Sequence, residues 1–126
     1  MEDIQINAKI FVVDDEEGIR EILEELLTDF GASVDLATNG LEGLEKAKAN
    51  QYDVIFSDVK MPTMTGEEFL SKLKTEDIVP KKFFFVSGGM EQDLEDASLK
   101  EVFTGFVYKP FKEDSILELL QEFYQA

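Results

Sequence analysis

The chain has 126 residues, of which 44% are hydrophobic, a composition typical of one folded domain rather than of a disordered segment. Twelve basic and 28 acidic residues give a formal net charge of −16. This charge argues against direct contact with nucleic acid or with an anionic membrane, because both require basic patches. The absence of cysteine and histidine excludes thiol and imidazole catalysis, and it leaves oxygen ligands for any metal.

The acidic N-terminus lacks the apolar core of a signal peptide, and no apolar run approaches membrane-spanning length. We therefore expect a cytoplasmic protein. No linker, internal repeat or low-complexity segment interrupts the sequence. We expect residues 1–126 to form a single domain, with no output domain in this chain.

Short apolar runs alternate with helical patterns from one end of the chain to the other. The strands are predicted at residues 10–13, 34–36, 54–56, 83–86 and 105–108. The helices are predicted at residues 19–30, 41–47, 69–73, 91–99 and 116–123, and the fourth of these has a poor apolar stripe. Thr38 or Asn39 is expected to cap the second helix, and Thr65 or a neighbour the third.

Five strands that alternate with five helices predict an α/β domain, in which helices cover both faces of a parallel sheet. The length and alternation fit a doubly wound, flavodoxin-like (βα)5 fold with strand order 2-1-3-4-5. The first, third and fourth strands are continuously apolar, as expected of central strands that are buried on both faces.

Reactive side chains follow four of the five predicted strands. Asp14 and Asp15 follow the first, Asp58 the third, Ser87 the fourth and Lys109 the fifth. The first and third strands are neighbours in the proposed order, about 5 Å apart. We therefore expect these side chains to share one cleft at the carboxyl edge of the sheet.

Carboxylates held this close repel each other, and a divalent cation such as Mg²⁺ relieves the repulsion. The ammonium of Lys109 and the hydroxyl of Ser87 suit the oxygens of a phosphoryl group. A free carboxylate, Asp58, is a recognised phosphoryl acceptor. This combination indicates phosphoryl transfer, in which catalysis depends mostly on positioning and charge neutralisation.

The chain resembles the receiver domains of two-component response regulators over nearly its whole length. The residues that carry the resemblance are the Asp14-Asp15 pair, Asp58 with Met61-Pro62 and Gly66, Ser87-Gly88, and Lys109-Pro110-Phe111. The resemblance implies that Asp58 accepts a phosphoryl group, in a Mg²⁺-dependent reaction, from a phosphohistidine on a sensor histidine kinase or histidine phosphotransfer protein. It implies a phosphorelay switch that assists its own phosphorylation and dephosphorylation rather than an enzyme.

The resemblance also implies roles for individual residues. Asp15, Asp58 and the backbone carbonyl of Lys60 would contact the metal directly and Asp14 through water, and Mn²⁺ or Ca²⁺ could substitute for Mg²⁺. Ser87 and Phe106 match the switch residues that respond to the phosphoryl group and shift the face around the fourth helix. The Lys109-Pro110 bond is expected to be cis.

Further expectations concern partners and nearby side chains. The output would be a downstream protein or an output domain, separate or fused, with the receiver a monomer or a phosphorylation-dependent dimer. Lys60 is hypothesised to tune the lifetime of the phosphoryl group. Glu16 and Glu17 are interpreted as a solvated helix N-terminus, with a contribution to cation affinity as the alternative.

Other interpretations remain open from the sequence alone. Taken singly, each acid, serine or lysine fits an ordinary turn or solvated position. A Mg²⁺-dependent phosphohydrolase using an aspartyl-phosphate would place two aspartates two residues apart and need a substrate-holding insert. A flavodoxin-like cofactor binder would need a hydroxyl-rich phosphate loop where this chain has Asp-Asp-Glu-Glu.

Overall fold

The computed structural model describes residues 4–88 and 97–125 of the chain. Within these ranges it contains seven strands and four α-helices. The strands are β1 (Gln5–Ile6), β2 (Lys9–Val13), β3 (Ser33–Ala37), β4 (Val54–Asp58), β5 (Lys82–Ser87), β6 (Gly105–Tyr108) and β7 (Tyr124–Gln125). The helices are α1 (Glu17–Asp29), α2 (Gly40–Ala49), α3 (Gly66–Thr75) and α4 (Glu113–Leu119).

Five of the strands form one parallel sheet with the order β3-β2-β4-β5-β6. This is the order 2-1-3-4-5 when the predicted strands are counted along the chain, so the predicted topology is confirmed. In the register of the sheet Val13 pairs with Ser57, and Asp58 pairs with Val86. The ends of β2, β4 and β5 therefore lie side by side at the carboxyl edge.

The core lies on both faces of this sheet, because neighbouring residues of β2 point to opposite sides. Ile10 and Val12 belong to a cluster with residues of α1 and α4, such as Leu23 and Ile116. Phe11 and Val13 belong to a second cluster with residues of α2 and α3. Burial on both sides explains why this strand reads as a continuous apolar run.

Two of the helix starts confirm the predicted caps. The side chain of Asn39 accepts a hydrogen bond from the backbone N–H of Glu42 at the start of α2. Thr65 and Glu68 form a reciprocal capping box at the start of α3. These caps satisfy N–H groups that have no partner inside the helix, and so they fix where each helix begins.

The C-terminal segment differs from the prediction of one helix up to Phe123. Helix α4 ends at Leu119, a 3-10 turn covers Gln121–Phe123, and β7 then pairs antiparallel with β1. The backbone N–H of Asn7 donates to the carbonyl of Phe123 at 2.8 Å. Bonds of this kind to the N-terminal segment compete with continuation of the helix, and apolar periodicity cannot reveal them because they join opposite ends of the chain.

The predicted fourth helix, at residues 91–99, lies largely outside the described residues. Of that stretch, Ala97–Leu99 forms a 3-10 turn. No helix in the described part of the chain is both long and apolar enough to cross a membrane.

Candidate functional site

The parallel sheet places the ends of four strands at one edge. Asp14 directly follows β2, Asp58 is the last residue of β4, and Ser87 is the last residue of β5. Lys109 directly follows β6, and its backbone N–H donates to the carbonyl of Ser87 at 2.8 Å. The structure therefore places these four sequence-predicted residues on the same edge of the sheet.

Three carboxylates form an acid cluster at this edge. One carboxylate oxygen from each of Asp14, Glu16 and Asp58 lies within 4.8 Å of the others. Asp14 is only 1% exposed and Asp58 8% exposed. Asp15, the second predicted metal ligand, is exposed and is not one of these three residues.

Burial changes the acid-base properties of the cluster. The pKa of Asp58 is raised to about 7, chiefly by burial and next by the nearby charge of Asp14, whose effect exceeds the opposing effect of the Lys109 ammonium. Burial also raises the pKa of Asp14, against the opposing effect of a hydrogen bond from the Glu16 backbone. Both shifts indicate that the protein's own basic groups do not fully compensate the negative charge in this cleft.

Lys109 forms ion pairs with two members of the acid cluster. The Lys109-Pro110 peptide bond is cis, as the resemblance implies. Lys109 Nζ lies 2.7 Å from Glu16 Oε1 and 3.8 Å from Asp14 Oδ2. Burial alone would lower the pKa of Lys109, but the hydrogen bond to Glu16 and the charges of Asp14 and Asp58 raise it above its ordinary value.

The acid cluster fits a divalent, oxygen-liganded cation. Asp14 Oδ2 is buried and has no hydrogen-bond partner, an arrangement that is costly for a carboxylate unless a cation satisfies it. Carboxylate oxygens are the ligands that Mg²⁺ prefers, usually one or two of them together with water and phosphate oxygens. Asp14 and Asp58 therefore offer a suitable donor set at the end of the cleft.

The loop after β4 is held close to the acceptor carboxylate. The backbone N–H of Lys60 lies 3.4 Å from Asp58 Oδ1, and the N–H of Gly66 donates to the carbonyl of Val59 at 2.8 Å. A Cβ atom at Gly66 would overlap the carbonyl oxygen of Asp58. Glycine at this position thus lets α3 begin directly against the end of β4.

The two predicted switch residues have different surroundings. Ser87 is 1% exposed at the end of β5. Phe106 is half-buried in an aromatic cluster, with ring centroids 5.3 Å from Phe103, 5.8 Å from Phe85 and 5.9 Å from Tyr108. Phe106 therefore packs against the second core cluster, on the side of the sheet that α2 and α3 cover.

Two contacts at this site do not follow from the sequence pattern. Glu16 is predicted to be part of a solvated helix N-terminus, with a contribution to cation affinity as the alternative. Its side chain is 61% exposed, and its carboxylate also joins the acid cluster and pairs with Lys109. Arg20 donates from Nη1 to the backbone carbonyl of Asp14 at 2.6 Å. Arg20 is the one arginine of the chain. Its position one helical turn after Glu16 is the sequence feature that could have indicated its place near the acid cluster.

Comparisons with known proteins agree with this geometry. The family model of the response regulator receiver domain matches residues 10–121. The chemotaxis protein CheY of Halobacterium salinarum is 30% identical over 118 residues, which cover 94% of this chain and 98% of that protein. The probable transcriptional regulator ycf29 of Porphyra purpurea is 31% identical over 118 residues, which cover 92% of this chain and 56% of that protein.

Among solved structures, the response regulator protein TrrA of Thermotoga maritima, in complex with Mg²⁺-BeF, is 30% identical. Its TM-score is 0.79, and the match covers 91% of this chain and 97% of that one. The chain thus spans nearly all of CheY but only about half the length of the ycf29 regulator. With the family model matched over residues 10–121, the chain belongs to the response regulator receiver domains, the phosphorelay switches of two-component signalling.

Proposed function

We propose that Asp58 is the phosphoryl acceptor of this receiver domain. The observation that carries the proposal is the position of the Asp58 carboxylate, which lies buried at the end of a central strand within 4.8 Å of the Asp14 and Glu16 carboxylates. The pKa of about 7 indicates that Asp58 needs a compensating positive charge to be an anionic nucleophile at neutral pH.

In the proposed reaction a carboxylate oxygen of Asp58 forms a bond to phosphorus. The bond from phosphorus to the donor nitrogen of a phosphohistidine breaks, and its electron pair stays on the imidazole, which is released. Water later attacks the same phosphorus, and the bond from phosphorus to the Asp58 oxygen breaks with its electron pair on the carboxylate, so that inorganic phosphate is released. The second step ends the signal and returns the domain to its resting state.

The remaining residues have supporting roles in this proposal. Asp14, Asp15, Asp58 and the carbonyl of Lys60 would hold Mg²⁺, which when bound supplies charge neutralisation at the phosphoryl oxygens. Lys109 binds one phosphoryl oxygen through its ammonium, and Ser87 donates its hydroxyl to another. The match to TrrA, described in complex with Mg²⁺-BeF, supports this assignment. Mn²⁺ or Ca²⁺ is expected to substitute for Mg²⁺ in the same oxygen site.

The signalling consequence is a change of surface rather than turnover of a substrate. Phosphorylation is proposed to draw the Ser87 hydroxyl toward Asp58 and to rearrange Phe106, which alters the face available to partners. The phosphodonor would be a sensor histidine kinase or histidine phosphotransfer protein in the cytoplasm. The target would be a downstream protein or a separate or fused output domain, and the receiver itself a monomer or a phosphorylation-dependent dimer.

Phosphorylation with a small-molecule donor tests the proposal directly. The protein is incubated with acetyl phosphate and Mg²⁺, and the intact mass is measured. We expect one phosphoryl adduct, which is lost in Asp58→Asn or when Mg²⁺ is chelated. Asp53→Asn is the matched control, because it makes the same chemical change at the residue that directly precedes β4, far from the carboxyl edge of the sheet. There the Asp53 carboxylate accepts a hydrogen bond from the backbone N–H of Lys9. An adduct that persists in Asp58→Asn would place the acceptor elsewhere.

The two alternative functions gain no support from the site. A phosphohydrolase would need a second aspartate two residues beyond the nucleophile, and Lys60 stands at that position. A flavodoxin-like cofactor binder would need a hydroxyl-rich loop after β2, where Asp14, Asp15 and Glu16 stand instead.

A further inference from the structure

Lys109 and Glu16 form an ion pair across the cleft in the structure. Lys109 Nζ lies 2.7 Å from Glu16 Oε1, although the two residues are 93 positions apart in sequence. The lysine side chain is 21% exposed and the glutamate side chain 61% exposed, so the pair lies at the rim of the cleft. Within the described residues, the ammonium's other ion pair is to Asp14 Oδ2, at 3.8 Å.

The backbone around Glu16 explains how its side chain reaches the cleft. Glu16 is the N-cap residue of α1, and its side chain makes no capping hydrogen bond to that helix. Its backbone N–H instead donates to Asp14 Oδ1 at 2.9 Å, which ties Glu16 to the buried aspartate. Short polar side chains such as that of Asp usually cap a helix by accepting from its first free N–H groups, but the Glu16 side chain does not. Here it is turned away from them and toward Lys109.

The ion pair occupies the ammonium that the phosphoryl group would need. The charges of Asp14, Glu16 and Asp58 all act on Lys109, and its hydrogen bond goes to Glu16, the most exposed of the three. A phosphoryl group on Asp58 would add further negative charge to the cleft, and its oxygens would attract the ammonium away from Glu16.

We propose that Glu16 is a positioning residue that holds Lys109 at the rim of the cleft and competes with the phosphoryl group on Asp58 for its ammonium. This inference rests on the proposed function, because it concerns the same site. Glu16 thereby sets how readily the phosphorylated state forms. Removal of its charge releases Lys109 toward Asp58 and favours binding of a phosphoryl mimic.

The test compares Glu16→Gln with Glu17→Gln. The two variants lose the same charge from neighbouring residues, but Glu17 is the exposed first residue of α1 and does not belong to the acid cluster. At saturating Mg²⁺, beryllofluoride is titrated into each protein and followed by NMR. We expect about two- to fivefold tighter binding for Glu16→Gln, the factor that release of a largely exposed ion pair supplies. Glu17→Gln should bind as the wild type does.

A second readout isolates the position of Lys109 from any general effect on stability. In protein labelled at lysine side chains, the Lys109 cross-peak without cation or mimic should move in Glu16→Gln and stay in place in Glu17→Gln. Unchanged or weaker beryllofluoride binding in Glu16→Gln, or an unmoved Lys109 cross-peak, would overturn the inference. Failure of the wild-type protein to form an acetyl phosphate adduct would instead reject the proposed function, so the two failures are distinguishable.

Discussion

At the scale of single residues, the dominant feature is a buried acid whose proton affinity is raised. Asp58 has a pKa of about 7 in the folded protein, chiefly because burial disfavours its charge. In the unfolded chain the same carboxyl group has a pKa near its ordinary value of 3.8. The folded protein therefore binds a proton more tightly than the unfolded chain does, and the difference makes stability depend on pH.

The first prediction is that the cation-free protein loses stability as pH rises from about 4 to about 7. A carboxyl group with a raised folded-state pKa stabilises the fold below its unfolded-state pKa, and this contribution disappears as pH rises through the folded-state value. A shift of about three pKa units corresponds to on the order of 4 kcal/mol. Urea unfolding in the presence of a chelator, measured at several pH values, gives the free energy of unfolding directly.

Asp58→Asn separates this effect from the rest of the titrating surface. An amide cannot ionise, so the variant should be more stable than the wild type at pH 7 and should show a shallower loss between pH 4 and pH 7. Asp29→Asn, an exposed change at the end of α1, is the control and should keep the wild-type slope. Parallel pH profiles for the wild type and Asp58→Asn would contradict the assignment of the effect to Asp58.

At the scale of elements, the junction between β4 and α3 connects the acceptor to the fold. The second prediction is that Gly66→Ala destabilises the protein by about 1–3 kcal/mol, as overpacking against rigid backbone does. The added Cβ would overlap the carbonyl oxygen of Asp58 and lie 3.1 Å from the Cα of Val59. Because both neighbours are backbone atoms, the strain can be relieved only if the acceptor loop moves, and adduct formation from acetyl phosphate should also slow.

Gly18→Ala is the matched control for this prediction. Gly18 lies in α1, and a Cβ there would meet nothing within 4 Å. Alanine should therefore stabilise the helix, by about 0.5–1 kcal/mol relative to glycine. Equal stability of Gly66→Ala and the wild type in urea unfolding would show that the junction tolerates a side chain, contrary to the close approach described above.

The elements that form the site follow local patterns, and for that reason the sequence predicts them well. Continuous apolar runs identify β2, β4 and β5, and the polar residue at the end of each identifies the edge of the sheet. The cluster of Asp14 and Asp58 then follows from strand order alone. The place of Glu16 does not follow, because it depends on the rotation of one N-cap side chain toward Lys109.

At the scale of the whole molecule, the sheet could be predicted from local sequence patterns, whereas the pairing of the chain ends could not. Strand order 2-1-3-4-5 could be predicted because parallel strands joined by helices admit few topologies. The pairing of β1 with β7 could not be predicted, since two-residue strands carry too little pattern to identify. The hydroxyl of Tyr124 donates to the carbonyl of Leu117 at 2.8 Å, a contact that depends on α4 having already ended. The apolar periodicity through Phe123 therefore predicts its burial correctly. It predicts an α-helix where the structure has a 3-10 turn.

The last prediction concerns the balance of charge over the entire domain, which carries a formal net charge of −16. A cation that binds only the folded state stabilises it by about 2.7 kcal/mol at a concentration one hundred times its dissociation constant. We therefore expect Mg²⁺ to raise the free energy of unfolding in urea at pH 7, at constant ionic strength. The gain should be much smaller in Asp58→Asn, which removes one carboxylate of the acid cluster, and unchanged in Asp29→Asn. A gain of equal size in all three proteins would indicate screening of the acidic surface as a whole. That result would contradict a cation site in the cleft at the end of β4.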